Sequence, residues 1–214
     1  MIRTEAITFN DFQVNTYLVW DETGECLVVD PAFYSVEEQQ QLAAFITGKG
    51  LTIAGQVNTH CHVDHILGVR FMKTKYGSAF RAHAEESKAA ANVSLMGDLF
   101  GWSVEPLEDI DEFIRDNQTI GVGNRSLQCI HVPGHSAGSL AFYSAEGGFV
   151  ITGDALFQGS IGRTDLPGGD YDTLIASIRD RLLVLPPETV VYPGHGPSST
   201  IGGEIAENPF LNTI

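Results

Sequence analysis

Five of the chain's seven histidines fall in three short segments that also carry an aspartate or a glycine turn: His60, His62 and His65, then His135, then His195. The first segment reads His60-x-His62-x-Asp64-His65. In extended backbone successive side chains alternate faces, so His60, His62 and Asp64 are expected to project to one side and His65 to the other, serving two neighbouring points. Four ionisable groups so close in sequence carry a cost in desolvation and repulsion unless a cation holds them together. Imidazole with carboxylate suits zinc or iron. Pro133-Gly134-His135-Ser136 and Pro193-Gly194-His195-Gly196 each follow a β-rich run, and their glycines permit the turn that aims an imidazole inward. Gly153-Asp154 ends another such run, with a carboxylate whose two oxygens could bridge two cations. His83 and His131 stand outside these segments and are read as hydrogen-bonded structural residues.

Strands and turns must position these groups. Residues 14–20 and 26–30 read as strands around the turn Asp21-Glu22-Thr23-Gly24, and Asp30-Pro31 stops the second. Ser35 with Glu38 forms a capping-box pattern opening a helix that carries Leu42, Ala43, Phe45 and Ile46 and ends at residues 48–50. A strand over 53–58 hands over to the histidine run, and a helix follows near 68–76. The stretch 84–116 carries a small-residue helix around 84–93. It then carries Glu105, Glu108, Asp109, Asp111 and Glu112, and is expected to be a solvated excursion. Strands resume at 126–132, 139–144 and 148–152. Glycine-rich residues 159–169 precede a helix over 171–185 that Pro186-Pro187 ends, and a last strand covers 189–192. Tight hairpins imply antiparallel pairing, so an α/β layered fold with two facing sheets and outer helices is expected.

The chain has 214 residues, 43% of them hydrophobic and 18% charged, enough for a sizeable core. Its net charge of −15 would repel a phosphate backbone, which argues against nucleic acid. No run approaches the roughly 20 apolar residues that span a bilayer, so no membrane partner is expected. Cys26, Cys61 and Cys129 are widely spaced, unlike a disulfide framework, and the opening residues lack a signal-peptide pattern. A cytoplasmic location is the expectation.

Together, Thr59-His60-x-His62-x-Asp64-His65, Gly134-His135-Ser136-x-Gly138-Ser139, Gly153-Asp154-Ala155-Leu156-Phe157, Gly162-Arg163-Thr164-Asp165 and Tyr192-Pro193-Gly194-His195-Gly196 resemble the metallo-β-lactamase superfamily. Asp30 matches its first strand-end acid, and within the superfamily the chain is most similar to the short glyoxalase II-like hydrolases. The resemblance implies a four-layer αββα sandwich over residues 1–214, without the C-terminal helical domain of full-length glyoxalase II. It implies a dinuclear centre in which His60, His62 and His135 hold one metal and Asp64, His65 and His195 the other. Asp154 bridges them, making Asp64 and Asp154 the catalytic carboxylates. Two divalent ions are implied, zinc first, with iron or manganese as alternatives. The implied reaction is hydrolysis of a small-molecule anionic acyl thioester such as S-lactoylglutathione, by hydroxide generated at the metals.

Asp30 is expected to orient a ligand imidazole. Cys61 should point away from the metals if His60 and His62 point toward them. Arg163 is a candidate for an anionic substrate group, its alternative being a loop-bracing pair with Asp165. Tyr143 and Tyr171 are candidates for a pocket wall. Two rival chemistries share these residues. One is a mononuclear iron persulfide dioxygenase using His60, His135 and Asp154, and the other a lactonase-type hydrolase.

Overall fold

A computed structural model describes residues 1–107 and 109–212, so Glu108 of the acidic run and the last two positions lie outside the described residues. Strands β1 (Arg3–Phe9), β2 (Val14–Trp20) and β3 (Glu25–Val29) form an antiparallel meander. Helix α1 (Val36–Lys49) starts at the expected capping box, where Ser35 accepts from the Glu38 N–H, and stops at Gly50, whose φ of 66° closes the helix. It returns the chain to β4 (Thr52–Val57), parallel to β3. The ligand run leaves β4 and leads into α2 (Val69–Tyr76).

The next segment departs from expectation. It contains β5 (Arg81–His83), α3 (Ser87–Ala91), α4 (Val93–Leu99) and β6 (Glu112–Ile114), with β6 parallel to β5. Glu105, Asp109, Asp111 and Glu112 do face solvent. Ala90, Val93, Trp102 and Ile110 nevertheless pack on Cys61, Val63, Ile66 and Leu67. The stretch is therefore a floor beneath the first ligand run rather than a solvated excursion, because its scattered apolar side chains find a core there.

Strands β7 (Thr119–Val122), β8 (Arg125–His131), β9 (Leu140–Ser144) and β10 (Phe149–Gly153) pair antiparallel in sequence order. A small hairpin, β11 (Leu156–Phe157) with β12 (Ser160–Ile161), precedes α5 (Tyr171–Ser177). The helix expected over 171–185 continues from α5 as wider π-type turns at Ile178–Leu182, which keep Ile178 and Leu182 on the sheet. Then β13 (Val190–Pro193) joins β10 in parallel, and β14 (Ser199–Thr200) and α6 (Ile201–Glu207) close the described chain. The sheets are thus mixed: each hairpin is antiparallel, while β3–β4 and β10–β13, separated by helices, are parallel.

Alternation along the strands sorts the core into layers. Leu27, Val29 and Val57 meet Leu127, Phe142 and Ile151 between the two sheets. Val28 and Leu18 face outward onto Leu42 and Met72, while Ala141, Val150 and Val191 face outward onto Leu174, Ile178 and Ile201. The result is a four-layer αββα sandwich. Among the described residues no helix is long and apolar enough to cross a membrane.

Candidate metal centre

The strand ends of both sheets meet at one edge. Thr59, just past β4, accepts the Leu140 N–H at 2.8 Å, and Gly194, past β13, donates to Gly153 at 2.8 Å. The His195 loop is held from the first sheet: Asn15 N–H donates to Gly194 at 2.7 Å, and Tyr17 Oη donates to Pro193 at 2.7 Å. Ligand-bearing loops from distant parts of the sequence are thereby fixed to two rigid sheets.

Among the described residues three candidate groups result: His60, His62 and His135; Asp64, His65 and His195; and Asp30 with His60 and His65, which links the first two. Extended alternation would have put Asp64 beside His60 and His62. Instead Val63–His65 forms a 3-10 turn after the extended His62, carrying Asp64 round to join His65. Asp64 Oδ2 lies 3.7 Å from His65 Nε2 and 3.4 Å from His195 Nε2. Asp154 reaches both groups, its Oδ1 3.4 Å from His65 Nε2 and its Oδ2 3.4 Å from His195 Nε2 and 3.7 Å from His135 Nε2. Cys61 is buried in the apolar floor, away from the ligand groups.

Four imidazoles are oriented through Nδ1. His135 donates to the Arg163 carbonyl and His195 to the Phe12 carbonyl, both at 2.8 Å. His65 Nδ1 lies 3.0 Å from Asp30 Oδ2, which also accepts from Thr59 Oγ1 at 2.6 Å, and Thr59 Oγ1 is 3.0 Å from His60 Nδ1. One buried carboxylate, Asp30, thus orients an imidazole in each group, directly for His65 and through Thr59 for His60.

This arrangement fits metal. With Nδ1 protonated, the Nε2 lone pairs of His60 and His135 face each other at 3.2 Å, an acceptor–acceptor contact that needs a cation between them. Ligand atoms around a tetrahedral zinc with bonds of about 2.0–2.1 Å are separated by about 3.3–3.4 Å, close to the spacings here. Asp154 Oδ1 is buried without a hydrogen-bond partner.

Charge agrees with geometry. Burial, together with His65, His62 and His135, holds His60 well below the usual imidazole range, and burial followed by His135 brings His62 down to about 4. Both are neutral and ready to donate. Burial opposes ionisation of Asp154, but His65, His195 and His60 outweigh it and hold this carboxyl well below its ordinary range. Burial likewise opposes charge on His195, yet hydrogen bonds to Asp154 and Asp64 push it up to about 9. The Asp64, His65 and His195 end therefore calls for positive charge.

Arg163 spreads its Nε and Nη2 onto Asp165 at 2.8 and 2.7 Å, the loop-bracing alternative, while its carbonyl orients His135. Tyr171 is half-exposed in the first turn of α5, beside Asp170, whose N–H donates to Gly134 next to His135. The structure does not bring Tyr143 to the centre. It lies paired with Val150 and Gln128, away from Gly153, and packs beneath α5 because alternation turns it to the outer face of the sheet. His83 and His131 stack on each other at 4.4 Å, apart from the ligand groups. Replacement of His83 by alanine is expected to leave metal content unchanged on elemental analysis.

Glu86 is a residue that sequence reading missed. Buried, it accepts from Cys61 N at 2.7 Å, Ser136 Oγ at 2.7 Å and Gly138 N at 2.8 Å, joining the His60–His62 loop to the His135 loop. Nothing in the pair Glu85-Glu86 distinguishes it from a solvent-facing charge. Glu86→Ala would leave two buried N–H groups unpaired at about 1–3 kcal/mol each. We expect a melting temperature lower by about 5–10 °C and reduced metal content, checked by thermal unfolding and elemental analysis.

A family model described as the metallo-beta-lactamase superfamily matches residues 9–195. The probable metallo-hydrolase YqgX of Bacillus subtilis (strain 168) is 37% identical over 201 residues, covering 94% of this chain and 93% of that protein. The hydroxyacylglutathione hydrolase GloC of Haemophilus influenzae is 34% identical over 216 residues, covering 98% of each. Among solved structures, TTHA1623 in a di-iron-bound form superposes with a TM-score of 0.87 at 35% identity, covering 97% of this chain and 100% of that one.

Proposed function

The chain belongs to the metallo-beta-lactamase superfamily, and from that premise we propose that it is a dinuclear metal-dependent hydrolase of small-molecule anionic acyl thioesters, with S-lactoylglutathione as the representative substrate. The observation that carries this reading is the pair of ligand groups spanned by Asp154. A mononuclear iron dioxygenase built on His60, His135 and Asp154 would leave Asp64, His65 and His195 without a task. The similarity to GloC supports the thioester class.

His60, His62 and His135 would hold one ion and Asp64, His65 and His195 the second, with Asp154 facing both groups. Two divalent cations bound there would lower the pKa of a water and polarise the substrate carbonyl. The protein's own part is to aim and to hold. Asp30, Thr59 and the carbonyls of Phe12 and Arg163 lock the imidazole rings, so no reorganisation is needed as charge develops. Zinc is the first choice for this donor set, and the di-iron neighbour supports iron as the alternative. Three buried, unpaired cysteines fit a reducing, cytoplasmic setting.

The test pairs elemental analysis with S-lactoylglutathione hydrolysis on one preparation. Two metals per chain, turnover, and loss of both on chelation are expected. One iron per chain without hydrolysis would replace this reading with the dioxygenase.

A further inference from the structure

The two sides of the metal centre differ in character. On the His135 side lies the charged loop of Arg163 and Asp165. On the His195 side stands an aromatic wall. Phe12, whose carbonyl takes the His195 Nδ1 hydrogen bond, sets its ring edge-to-face against Phe100 at 5.2 Å and Trp102 at 5.1 Å. Phe157 lies 6.2 Å from the His195 ring.

The wall is anchored to the ligand loop at both ends. Trp102, only 5% exposed, packs in the floor with Cys61 and Val63. The β1–β2 turn is tied in by Asn10, whose Nδ2 donates to the Asp64 carbonyl at 3.0 Å and whose Oδ1 accepts from Phe12 N at 2.9 Å. Phe12 and Phe100 are nevertheless 43% and 49% exposed. Two half-exposed phenyl rings on a rigid base, their turn tied to the His195 loop, form an apolar contact surface.

We infer that the acyl half of the substrate carries an apolar group, aryl or branched alkyl, that rests on Phe12 and Phe100. This rests on the thioester reading given above. Lactate's methyl group would touch little of the wall. A phenyl group would stack on it.

S-mandeloylglutathione differs from S-lactoylglutathione only in a phenyl in place of a methyl, which makes the pair a direct probe. The metal-loaded enzyme is expected to favour the mandeloyl ester in kcat/KM by about tenfold or more. Phe100→Ala should bring that ratio toward one at unchanged metal content, while Phe100→Leu keeps part of it. A second readout uses Trp102 emission in a Trp20→Phe protein: mandelate should quench it, lactate should not, and Phe100→Ala should abolish the quenching. A wild-type ratio near one, or a ratio that survives Phe100→Ala, overturns the inference. If neither ester is hydrolysed but mandelate still quenches through Phe100, the thioester reading fails and the apolar subsite stands. If mandelate does not quench, the subsite fails whatever the enzyme hydrolyses.

Discussion

The Asp154→Ala protein is expected to fold, to bind less than one metal per chain, and to lose thioester hydrolysis by about 10³-fold or more, several kcal/mol of transition-state stabilisation. The reason lies in its placement. Its two oxygens face the Nε2 atoms of His65 and His195 on one side and of His135 on the other. Removing it takes negative charge from a site where imidazoles hold the carboxyl ionised against burial, and it leaves both groups short of a ligand. Asp64 supplies the contrast, since its carboxylate lies against His65 and His195, within one group. Asp64→Ala should retain about one metal per chain, held by His60, His62 and His135. Elemental analysis of the two variants side by side decides the matter. Equal losses would deny Asp154 its bridging place, and an active, fully loaded Asp154→Ala protein would refute the dinuclear mechanism.

Much of this centre could be read from spacing, and the limits of that reading are physical. The clustered histidines, the strand-end Asp154 and the Ser35–Glu38 capping box are local patterns, and the structure shows these groups where local rules put them. Asp64 shows where periodicity stops helping: two-residue alternation holds through His62, and the 3-10 turn at Val63–His65 then rotates the next carboxylate into the other group. Hydrogen bonding accompanies that turn: the His65 N–H donates to the His62 carbonyl at 3.0 Å, and the Asn58 side-chain amide donates to the His65 carbonyl at 2.9 Å. Glu86 was illegible for a different reason. Its partners lie 25, 50 and 52 residues away, and only tertiary structure makes it a buried acceptor instead of a surface charge. The residues around Trp102 were misread in the same way, because acidic neighbours masked apolar side chains that pack on Cys61, Val63, Ile66 and Leu67, far away in sequence. Arg163 had two readings in sequence, and the pair with Asp165 that the structure shows follows from two-residue proximity.

A single methyl group added at Gly194 should be nearly as damaging as the loss of a ligand. Gly194 is threaded between the sheets, donating to Gly153 at 2.8 Å and accepting from Asn15 at 2.7 Å, so its main chain cannot retreat. A Cβ there would overlap Asp154 Oδ1 and come within 2.8 Å of His65 Cε1. Its backbone is not left-handed, so alanine incurs no conformational penalty and the whole effect is steric. Asp154 and His65 would have to move, and a displacement of about 1 Å at a reacting centre costs on the order of 10²-fold in rate. Gly196, two residues on, offers the opposite case. Its φ is +73° and a Cβ there would meet nothing within 4 Å. Gly196→Ala should therefore cost about 1–2 kcal/mol in stability through backbone strain while keeping its metals. Metal content and thermal unfolding measured on both variants separate the two roles. If Gly194→Ala binds two metals and turns over normally, the close approach of this loop to Asp154 is not what shapes the centre. If it loses metal at little cost in melting temperature, the glycine is there to leave room for the bridging carboxylate.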